Sequence, residues 1–264
     1  MFIFHSISLQ FLKHFQVLSM KRESLRFYIY GILVLVVILL ITNKGDTKIQ
    51  PSKIQQFSNI SIPSKFNLKD ESKFLFVGVL TMISKFHRRS MIRDCYLRNV
   101  PKGVHVKFIF GKPKNEYEQN LLDMESSLYD DVVVLDNEEN LDDGKTWHFL
   151  KWADSLVGYD FLLKTDDDVF LHLENFKTKL SKMKKSLKDD ISGVYFGRNP
   201  SGTSFMAGAG YILSYDLVHF IANDDFAKNN IVGQEDGILS SWLNHGDRIK
   251  HFISEEEEVF FILI

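Results

Sequence analysis

Three consecutive aspartates, Asp166, Asp167 and Asp168, are the residues of this chain whose type and spacing point most directly to chemistry. They follow the apolar run YDFLL at residues 159–163, which is typical of a β-strand. Side chains alternate along an extended backbone, so Asp166 and Asp168 would share one side and Asp167 the other. Such a pair of hard oxygen ligands can hold a divalent cation against a diphosphate. A solvated acidic turn is the alternative, and the triplet alone does not decide between them.

Alternating strand and helix patterns surround the triplet and predict how it is positioned. Strands are predicted at residues 73–81, 104–111, 131–136 and 160–164, with helices at 84–98, 115–129 and 146–157 between them. This order predicts an α/β fold with a mostly parallel sheet and helices on both faces, whose ligands bind beyond the carboxyl ends of the strands. The triplet falls at such an end. The sequence has no G-x-G-x-x-G after the first strand and no Walker loop, which argues against a dinucleotide oxidoreductase or a P-loop enzyme.

Length and composition limit the remaining possibilities. The 264 residues, 45% hydrophobic and 25% charged, suffice for one folded domain with accessory segments. A net charge of -2 with scattered Lys and Arg gives no basic stripe, so we expect no nucleic-acid partner. The single cysteine, Cys95, excludes a disulfide framework within the chain, and we expect it to be buried.

An uncharged apolar run at residues 27–42 predicts a transmembrane helix. As a helix it would span about 24 Å, short but adequate for a thin bilayer. A buried core helix is the alternative, but the run is apolar on all faces and follows Lys21, Arg22 and Arg26. Those charges would keep the amino terminus cytosolic, and the following residues show no small-x-small cleavage signal. We therefore expect a retained signal anchor and a single-pass type II membrane protein.

The anchor predicts the organisation of the rest of the chain. Residues 1–26 would form a cytoplasmic tail, with Met20 as an alternative start. Residues 43–71 are polar, poor in aromatics and typical of a flexible stem. The stem contains the glycan acceptor sequence that begins at Asn59, which can be used only in the lumen. A lumenal catalytic domain is then expected over residues 72–253.

Two more local signals lie in the last third of the chain. Small residues at 207–210 lead into the apolar strand YILS, so a backbone can approach a ligand or simply pack tightly against a neighbouring strand. Glu235 and Asp236 precede an apolar helix, where a carboxylate can do chemistry or only cap the helix.

Taken together, these pieces resemble the β-1,3-galactosyltransferase family of type II Golgi glycosyltransferases. The resemblance covers roughly residues 74–251. Its motifs, in chain order, are FVGVLT at 76–81, RRSMIR at 88–93, Glu125 with YDD at 129–131, NL at 140–141 with KT at 145–146, KTDDDVF at 164–170, GAGYILS at 208–214 and ED at 235–236. Each motif is weak alone, but their order and spacing behind a predicted anchor are specific.

The resemblance implies a GT-A fold and an inverting hexosyltransferase. It would move galactose or N-acetylhexosamine from a UDP-sugar to the 3-hydroxyl of an acceptor glycan in β linkage, in protein glycosylation or proteoglycan linker synthesis. Mn²⁺ is the implied cofactor, and a glycoprotein or proteoglycan glycan is the implied acceptor. The implied location is the Golgi membrane, with the catalytic domain in the lumen.

Site residues follow from matching this sequence to the family's motifs. Asp168, with Asp166 on the same face, would hold Mn²⁺ on the donor diphosphate. Asp167 would face the sugar or ribose of the donor. Arg93 and Arg89 are candidates for nucleotide or diphosphate contact, although Arg89 fits an exposed helix charge equally well.

Two residues further along the chain complete the predicted site. Asp236 matches the family's catalytic base, which takes the proton of the acceptor hydroxyl as that oxygen attacks the anomeric carbon. His251 lies on a short segment after the apolar helix and is a candidate third metal ligand, with a structural role as the alternative.

Departures from the family pattern keep other functions open. The segment Gly197–Phe205 is short and lacks the K-W and Y-P-x-Y stretch that usually precedes the small-residue strand. The acidic and apolar tail at residues 254–264 matches no family ending. A catalytically weak lumenal protein that binds sugar nucleotides or glycans is therefore an alternative. A glycoside hydrolase using Asp168 and Asp236 is a third possibility, less favoured because an acidic triplet suits metal-diphosphate binding better.

Overall fold

The computed structural model of the protein describes residues 73–156, 158–200, 202–254 and 260–262. The predicted cytoplasmic tail, anchor and stem, at residues 1–26, 27–42 and 43–71, lie outside these residues. Among the described residues, no helix combines the length and the apolar character needed to cross a membrane.

Four strands from the first part of the fold pair in parallel, as the alternating pattern predicts. The described strands are β1 (Lys73–Leu80), β2 (Val104–Lys112), β3 (Val132–Glu138), β4 (Tyr159–Asp166), β5 (Val169–Leu171), β6 (Val194–Gly197), β7 (Gly210–Ser214), β8 (His251–Ser254) and β9 (Phe260–Ile262). β1 lies between β2 and β4, and β3 pairs with β2. Because these strands run the same way, their carboxyl ends meet at one edge, where Leu80 pairs with Asp166.

The second part of the fold extends this sheet to seven strands in the order β3-β2-β1-β4-β7-β6-β8. β7 runs antiparallel to both β4 and β6, whereas β8 is parallel to β6. Thr165 pairs with Gly210, so β7 starts where β4 ends. The mixed, mostly parallel sheet is consistent with the GT-A fold that the resemblance implies.

Helices cover both faces of the sheet. They are α1 (Phe86–Cys95), α2 (Glu116–Leu128), α3 (Lys145–Asp154), α4 (Leu173–Ser186), α5 (Tyr215–Asn223), α6 (Asp225–Asn229) and α7 (Glu235–His245). Apolar side chains of α1, α2 and α4 pack with Leu75, Val77 and Val79 of β1 in one core. Those of α3, α5 and α7 pack with Phe76 and Leu80 in the other core. Burial on both faces explains why β1 is apolar from Phe74 to Leu80.

Close packing of α3 on the central strand explains one glycine. A Cβ added at Gly78 would lie 2.1 Å from the ring of Phe149. Only glycine therefore lets α3 approach β1 this closely. The approach brings the amino end of α3 to the carboxyl edge of the sheet, where Lys145 donates a hydrogen bond to the Thr81 carbonyl.

The first predicted helix is shorter than residues 84–98. A 3₁₀ turn at Ile83–Lys85 precedes α1, and a second 3₁₀ turn follows at Leu97–Asn99. The helix ends at Cys95, and the ring of the next residue, Tyr96, is buried edge-on against Phe170 of β5, at 5.7 Å between centroids. Cys95 is exposed, so the expectation that it is buried is wrong.

A small second sheet follows the aspartate triplet. β5 begins at Val169, directly after Asp168, and pairs antiparallel with β9. Part of the unusual tail therefore has a partner, although residues 255–259 lie outside the described residues.

Candidate active site

The aspartate triplet lies at the carboxyl end of β4, and its side chains differ in exposure. The Asp166 and Asp168 side chains are 33% and 44% exposed, whereas that of Asp167 is 9% exposed. β5 starts immediately afterwards, which fixes the turn at both ends. Two carboxylates are thus open to a ligand, and the middle one is part of the interior.

Two residues from the first part of the fold hold Asp167. Thr81, just beyond β1, donates to one carboxylate oxygen at 2.6 Å, and Arg88 of α1 donates to the other at 2.6 Å. The Arg88 guanidinium also lies 3.3 Å from Asp168. Both oxygens of Asp167 are therefore engaged within the protein. Its predicted contact with the donor stays a prediction.

Asp166 is joined to a buried lysine on its own strand. Nζ of Lys164, which is 0% exposed, lies 2.9 Å from Asp166, 2.6 Å from Glu235 and 2.7 Å from the Gly208 carbonyl. Burial acts to lower the pKa of Lys164, but the two carboxylates outweigh it and hold that pKa above its ordinary value. Lys164 is therefore a charged ammonium that links β4 to α7.

Burial has the larger effect on Asp166 itself. It raises the pKa of the Asp166 carboxyl above its ordinary value and outweighs the Lys164 ammonium, which acts to lower it. A cation bound beside this carboxylate would favour its ionised form.

Asp236 lies at the first turn of α7, and the fold brings it to the same edge of the sheet. A Cβ built on Gly208 would lie 2.2 Å from Oδ1 of Asp236 and 3.0 Å from Oε2 of Glu235, so both carboxylates lie against that glycine. The next carbonyl, of Ala209, accepts a hydrogen bond from Thr165 at 2.8 Å. Asp236 and the triplet are therefore neighbours across the start of β7.

The donor set of this edge fits a hard divalent cation. Asp166 and Asp168 supply carboxylate oxygens, the ligands that Mg²⁺ and Mn²⁺ prefer. Within the part of the chain that the structure describes, no group of three or more His, Cys, Asp or Glu is arranged to hold a metal. A cation bound by one or two carboxylates ordinarily takes its remaining ligands from water and substrate phosphates. The residues present therefore fit a cation bound together with a diphosphate.

The structure does not bring His251 into this cluster. His251 begins β8 opposite Val194 of β6, whose amide donates to Ser214, and Ser214 pairs with Phe161 of β4. Phe161 lies five residues before Asp166 on β4, or about 17 Å along the strand. His251 thus lies toward the opposite edge of the sheet, on a strand three positions from β4. It is therefore distant from Asp166 and Asp168, the proposed metal ligands.

Arg93 takes part in a network between α1 and α2. It donates to Asp131 at 2.7 and 2.8 Å and to Glu125 at 2.7 Å, and its guanidinium lies 3.8 Å from the Tyr129 ring centroid. Its second terminal nitrogen is buried and has no hydrogen-bond partner among the described residues. The predicted donor contact of Arg93 stays a prediction.

Arg89 is fully buried, which corrects the idea of an exposed helix charge. It donates to both oxygens of Glu125, at 2.8 and 2.6 Å, and to Thr81 Oγ1 at 3.1 Å. Thr81 in turn donates to Asp167, so this network reaches the triplet.

Sequence reasoning assigned no role to several residues that build the site. Thr81 had a usable signal, because it directly follows β1 at the edge where parallel strands end. Arg88 belongs to the paired arginines, but only the structure distinguishes it from Arg89. Tyr211, which donates to Glu235 at 2.8 Å, and Lys164 lie in sequence motifs, but nothing in the sequence indicates that they share Glu235 as a partner, because Glu235 is remote in the chain.

Comparison with known proteins is consistent with this geometry. Residues 87–203 match the family model described as Galactosyltransferase, a range that includes the aspartate triplet. Asp236 lies beyond the matched range.

Several curated proteins are similar to the chain. UDP-GalNAc:beta-1,3-N-acetylgalactosaminyltransferase 2 of Xenopus tropicalis is 29% identical over 148 residues, covering 49% of this chain and 30% of that protein. Probable beta-1,3-galactosyltransferase 13 of Arabidopsis thaliana is 32% identical over 118 residues, covering 40% and 34%. Beta-1,3-galactosyltransferase 6 of Mus musculus is 29% identical over 174 residues, covering 56% and 53%.

The chain spans between about a third and about half of the length of these relatives, with 30%, 34% and 53% covered. The match therefore concerns a domain and not the whole of each relative. The match to the Galactosyltransferase family model and these relatives confirm, at modest identity, the resemblance of the chain to the β-1,3-galactosyltransferase family.

Proposed function

We propose that this protein is a metal-dependent inverting glycosyltransferase. It moves galactose or N-acetylhexosamine from a UDP-sugar to the 3-hydroxyl of an acceptor glycan, forming a β linkage. The observation that carries this proposal is the pair of open carboxylates, Asp166 and Asp168, beside Asp236 at one edge of the sheet. The printed names of the relatives, which are β-1,3-galactosyl- and N-acetylgalactosaminyltransferases, support the sugar class and the linkage.

Asp166 and Asp168 would hold the metal, with Mn²⁺ as the proposed ion. When bound, the ion supplies positive charge that binds the donor diphosphate and stabilises the leaving UDP. Arg88 lies beside Asp167 and Asp168, where its guanidinium adds positive charge to the same edge. The family role of the triplet and the oxygen donor set support this choice of ion.

Asp236 would act as the general base. Its carboxylate accepts the proton of the acceptor hydroxyl while that oxygen forms a bond to the anomeric carbon of the donor sugar. The bond from the same carbon to the UDP oxygen breaks, and the electron pair leaves with UDP. Attack from the face opposite UDP inverts the anomeric centre in one step.

The test is a transfer assay on the full chain with Mn²⁺, UDP-galactose or UDP-N-acetylgalactosamine, and a β-galactoside acceptor. Asp168→Ala should lower Mn²⁺-dependent transfer and donor hydrolysis by about 100-fold or more, because half of the carboxylate pair is lost. Asp236→Asn should keep donor binding and lose transfer, by about 10²- to 10⁴-fold in kcat.

Asp160→Ala is the matched control for Asp168→Ala. Asp160 lies on the same strand, its side chain is 32% exposed, and it pairs with Lys184 at 2.7 Å, away from the triplet. Its removal should leave transfer unchanged. The proposal is refuted if the wild-type chain neither transfers nor hydrolyses any of these donors, or if Asp168→Ala retains full Mn²⁺-dependent turnover.

A further inference from the structure

A buried ionic cluster lies between the carboxylates that the proposed reaction uses. It consists of Lys164, Tyr211 and Glu235, whose exposed fractions are 0%, 0% and 7%. Burying such charges is unfavourable unless every charge is paired and hydrogen-bonded. The cluster satisfies this condition, because Tyr211 donates to Oε1 of Glu235 at 2.8 Å and Lys164 donates to Oε2 at 2.6 Å.

The cluster touches both halves of the site. Lys164 lies 2.9 Å from the metal-side carboxylate of Asp166, and Glu235 directly precedes Asp236 in the chain. Lys164 also donates to the carbonyl of Gly208, against which Asp236 packs. One ammonium group thus joins the end of β4, the start of α7 and the backbone between them.

Glu235 is not placed to react with a substrate itself. Both of its oxygens already accept hydrogen bonds, and the residue is buried. We propose that Glu235 is a positioning residue that, through Lys164, holds Asp166 and Asp236 in one fixed arrangement. This inference rests on the proposed function and extends it, because it makes the metal side and the base side of the site interdependent.

Replacing the Glu235 carboxylate by an amide separates this role from simple packing. Glu235→Gln keeps the shape of the side chain but removes the closest negative charge from Lys164. The Lys164 ammonium then has only the Asp166 carboxylate beside it among its described contacts, so it opposes a cation at Asp166 more strongly. We expect Mn²⁺ to bind about 10- to 100-fold more weakly, the usual effect of removing a partner behind a metal ligand.

The experiment measures three quantities on the full chain: Mn²⁺ affinity, from the electron paramagnetic resonance signal of free Mn²⁺; kcat and KM for transfer; and the unfolding temperature without metal. Glu235→Gln should weaken Mn²⁺ binding and also lower kcat at saturating Mn²⁺ and donor, because Asp236 is displaced too. A merely structural Glu235 would lower the unfolding temperature alone, and that result would overturn the inference.

A matched pair of tyrosine variants keeps the inference testable even if Glu235→Gln fails to fold. Tyr211→Phe removes one hydrogen bond to Glu235, and Tyr159→Phe removes one from another buried phenol to the Ala153 carbonyl, at the other end of β4. Both should lose stability, and Tyr211→Phe should lose more because its partner is a carboxylate. Only Tyr211→Phe should lower kcat, with Mn²⁺ affinity near wild type because the Lys164–Glu235 pair remains.

The outcomes separate this inference from the proposed function. If wild-type protein binds Mn²⁺ and transfers sugar while Glu235→Gln keeps the wild-type Mn²⁺ affinity and kcat, or Tyr211→Phe has the same kcat as Tyr159→Phe, only the positioning role is refuted. If wild-type protein neither binds Mn²⁺ nor turns over a UDP-sugar, both are refuted.

Discussion

At the residue scale, the contact between Asp236 and Gly208 explains why a small residue precedes β7. The space that a side chain would occupy at Gly208 holds the Asp236 carboxylate, with Oδ1 only 2.2 Å from an added Cβ. The φ angle of Gly208 is outside the left-handed region, since the positive-φ glycines of the described chain do not include it. Its glycine identity therefore serves the approach of Asp236 and not a special turn.

Gly208→Ala should consequently move the base without unfolding the protein. The Asp236 side chain must shift to admit the methyl group, and a displacement of about 1 Å in a reacting group can cost about 100-fold in rate. Oε2 of Glu235, 3.0 Å from the added Cβ, has to shift less than Oδ1 of Asp236, so we expect kcat for transfer to fall about 10- to 100-fold with a smaller loss of Mn²⁺ affinity. Steady-state kinetics on the purified chain, with donor and Mn²⁺ varied in turn, measures the change in kcat separately from the changes in donor KM and Mn²⁺ affinity.

Gly237→Ala is the control in the first turn of α7. No atom lies within 4 Å of a Cβ added at Gly237, which lies in α7. This variant should keep full activity and gain about 0.5–1 kcal/mol of stability from the better helix former. Full activity in Gly208→Ala would instead argue against Asp236 as the base.

At the element scale, Glu125 connects two helices on one face of the sheet. From α2 it accepts hydrogen bonds from Arg89 and Arg93 of α1, all between 2.6 and 2.8 Å. Burial acts to raise the pKa of Glu125, but the hydrogen bonds and charges of the two arginines outweigh it and hold that pKa below its ordinary value. The pairing with Glu125 orients Arg89. Arg89 donates to Thr81, and Thr81 donates to Asp167 of the triplet.

The lowered pKa of Glu125 gives the stability a defined pH dependence. Its stabilising contribution is fully present above the unfolded-state pKa of about 4.3 and is lost as the pH falls through the lower folded-state pKa. At pH 7, Glu125→Gln should cost about 3–5 kcal/mol, because the buried guanidinium of Arg89 loses its carboxylate partner, whereas Arg93 keeps Asp131. Below pH 4 the difference between variant and wild type should shrink, as measured by denaturant unfolding at each pH.

Asp123→Asn provides the comparison on the same helix. Asp123 is exposed and accepts a hydrogen bond only from the exposed Gln119 among its described contacts. The change should stay within about 0.5 kcal/mol at both pH values. A Glu125→Gln variant as stable as Asp123→Asn would show that the arginine pair contributes little to stability.

At the scale of the whole molecule, the site residues lie at one edge of the sheet, and a hydrophobic core covers each of its two faces. β1 and β4 end together, and β7 starts beside them, so residues from three parts of the chain converge there. The predicted anchor at residues 27–42 and stem at residues 43–71 would place this domain in the Golgi lumen, and this location is a proposal drawn from the sequence.

The proposed orientation predicts a glycan at Asn59, which begins the only N-x-S/T sequence of the chain without an intervening proline. Full-length protein from eukaryotic cells should lose mass on treatment with an N-glycanase, and Asn59→Gln should abolish that loss. Ile60→Leu keeps the acceptor sequence and should retain it. The type II orientation would be contradicted if the wild-type protein carried no glycan and if protease added outside intact vesicles, on the cytosolic side, digested it.

The sequence by itself determined the elements and the position of the triplet among them. Apolar periodicities of 2 and 3.6 residues predicted the four parallel strands and the helices between them, because these patterns are local properties of the backbone. Since parallel strands share a carboxyl edge, the placement of Asp166 and Asp168 at that edge followed from the pattern.

The tertiary structure alone decided which side chains meet at that edge. Lys164 pairs with Glu235 across 71 residues, and Thr81 with Asp167 across 86. The sheet order likewise separates His251 from the triplet. Such contacts depend on which strands become neighbours, and here β7 enters antiparallel between β4 and β6. Local periodicity does not predict this strand order, because the packing of the whole sheet and its two cores determines it.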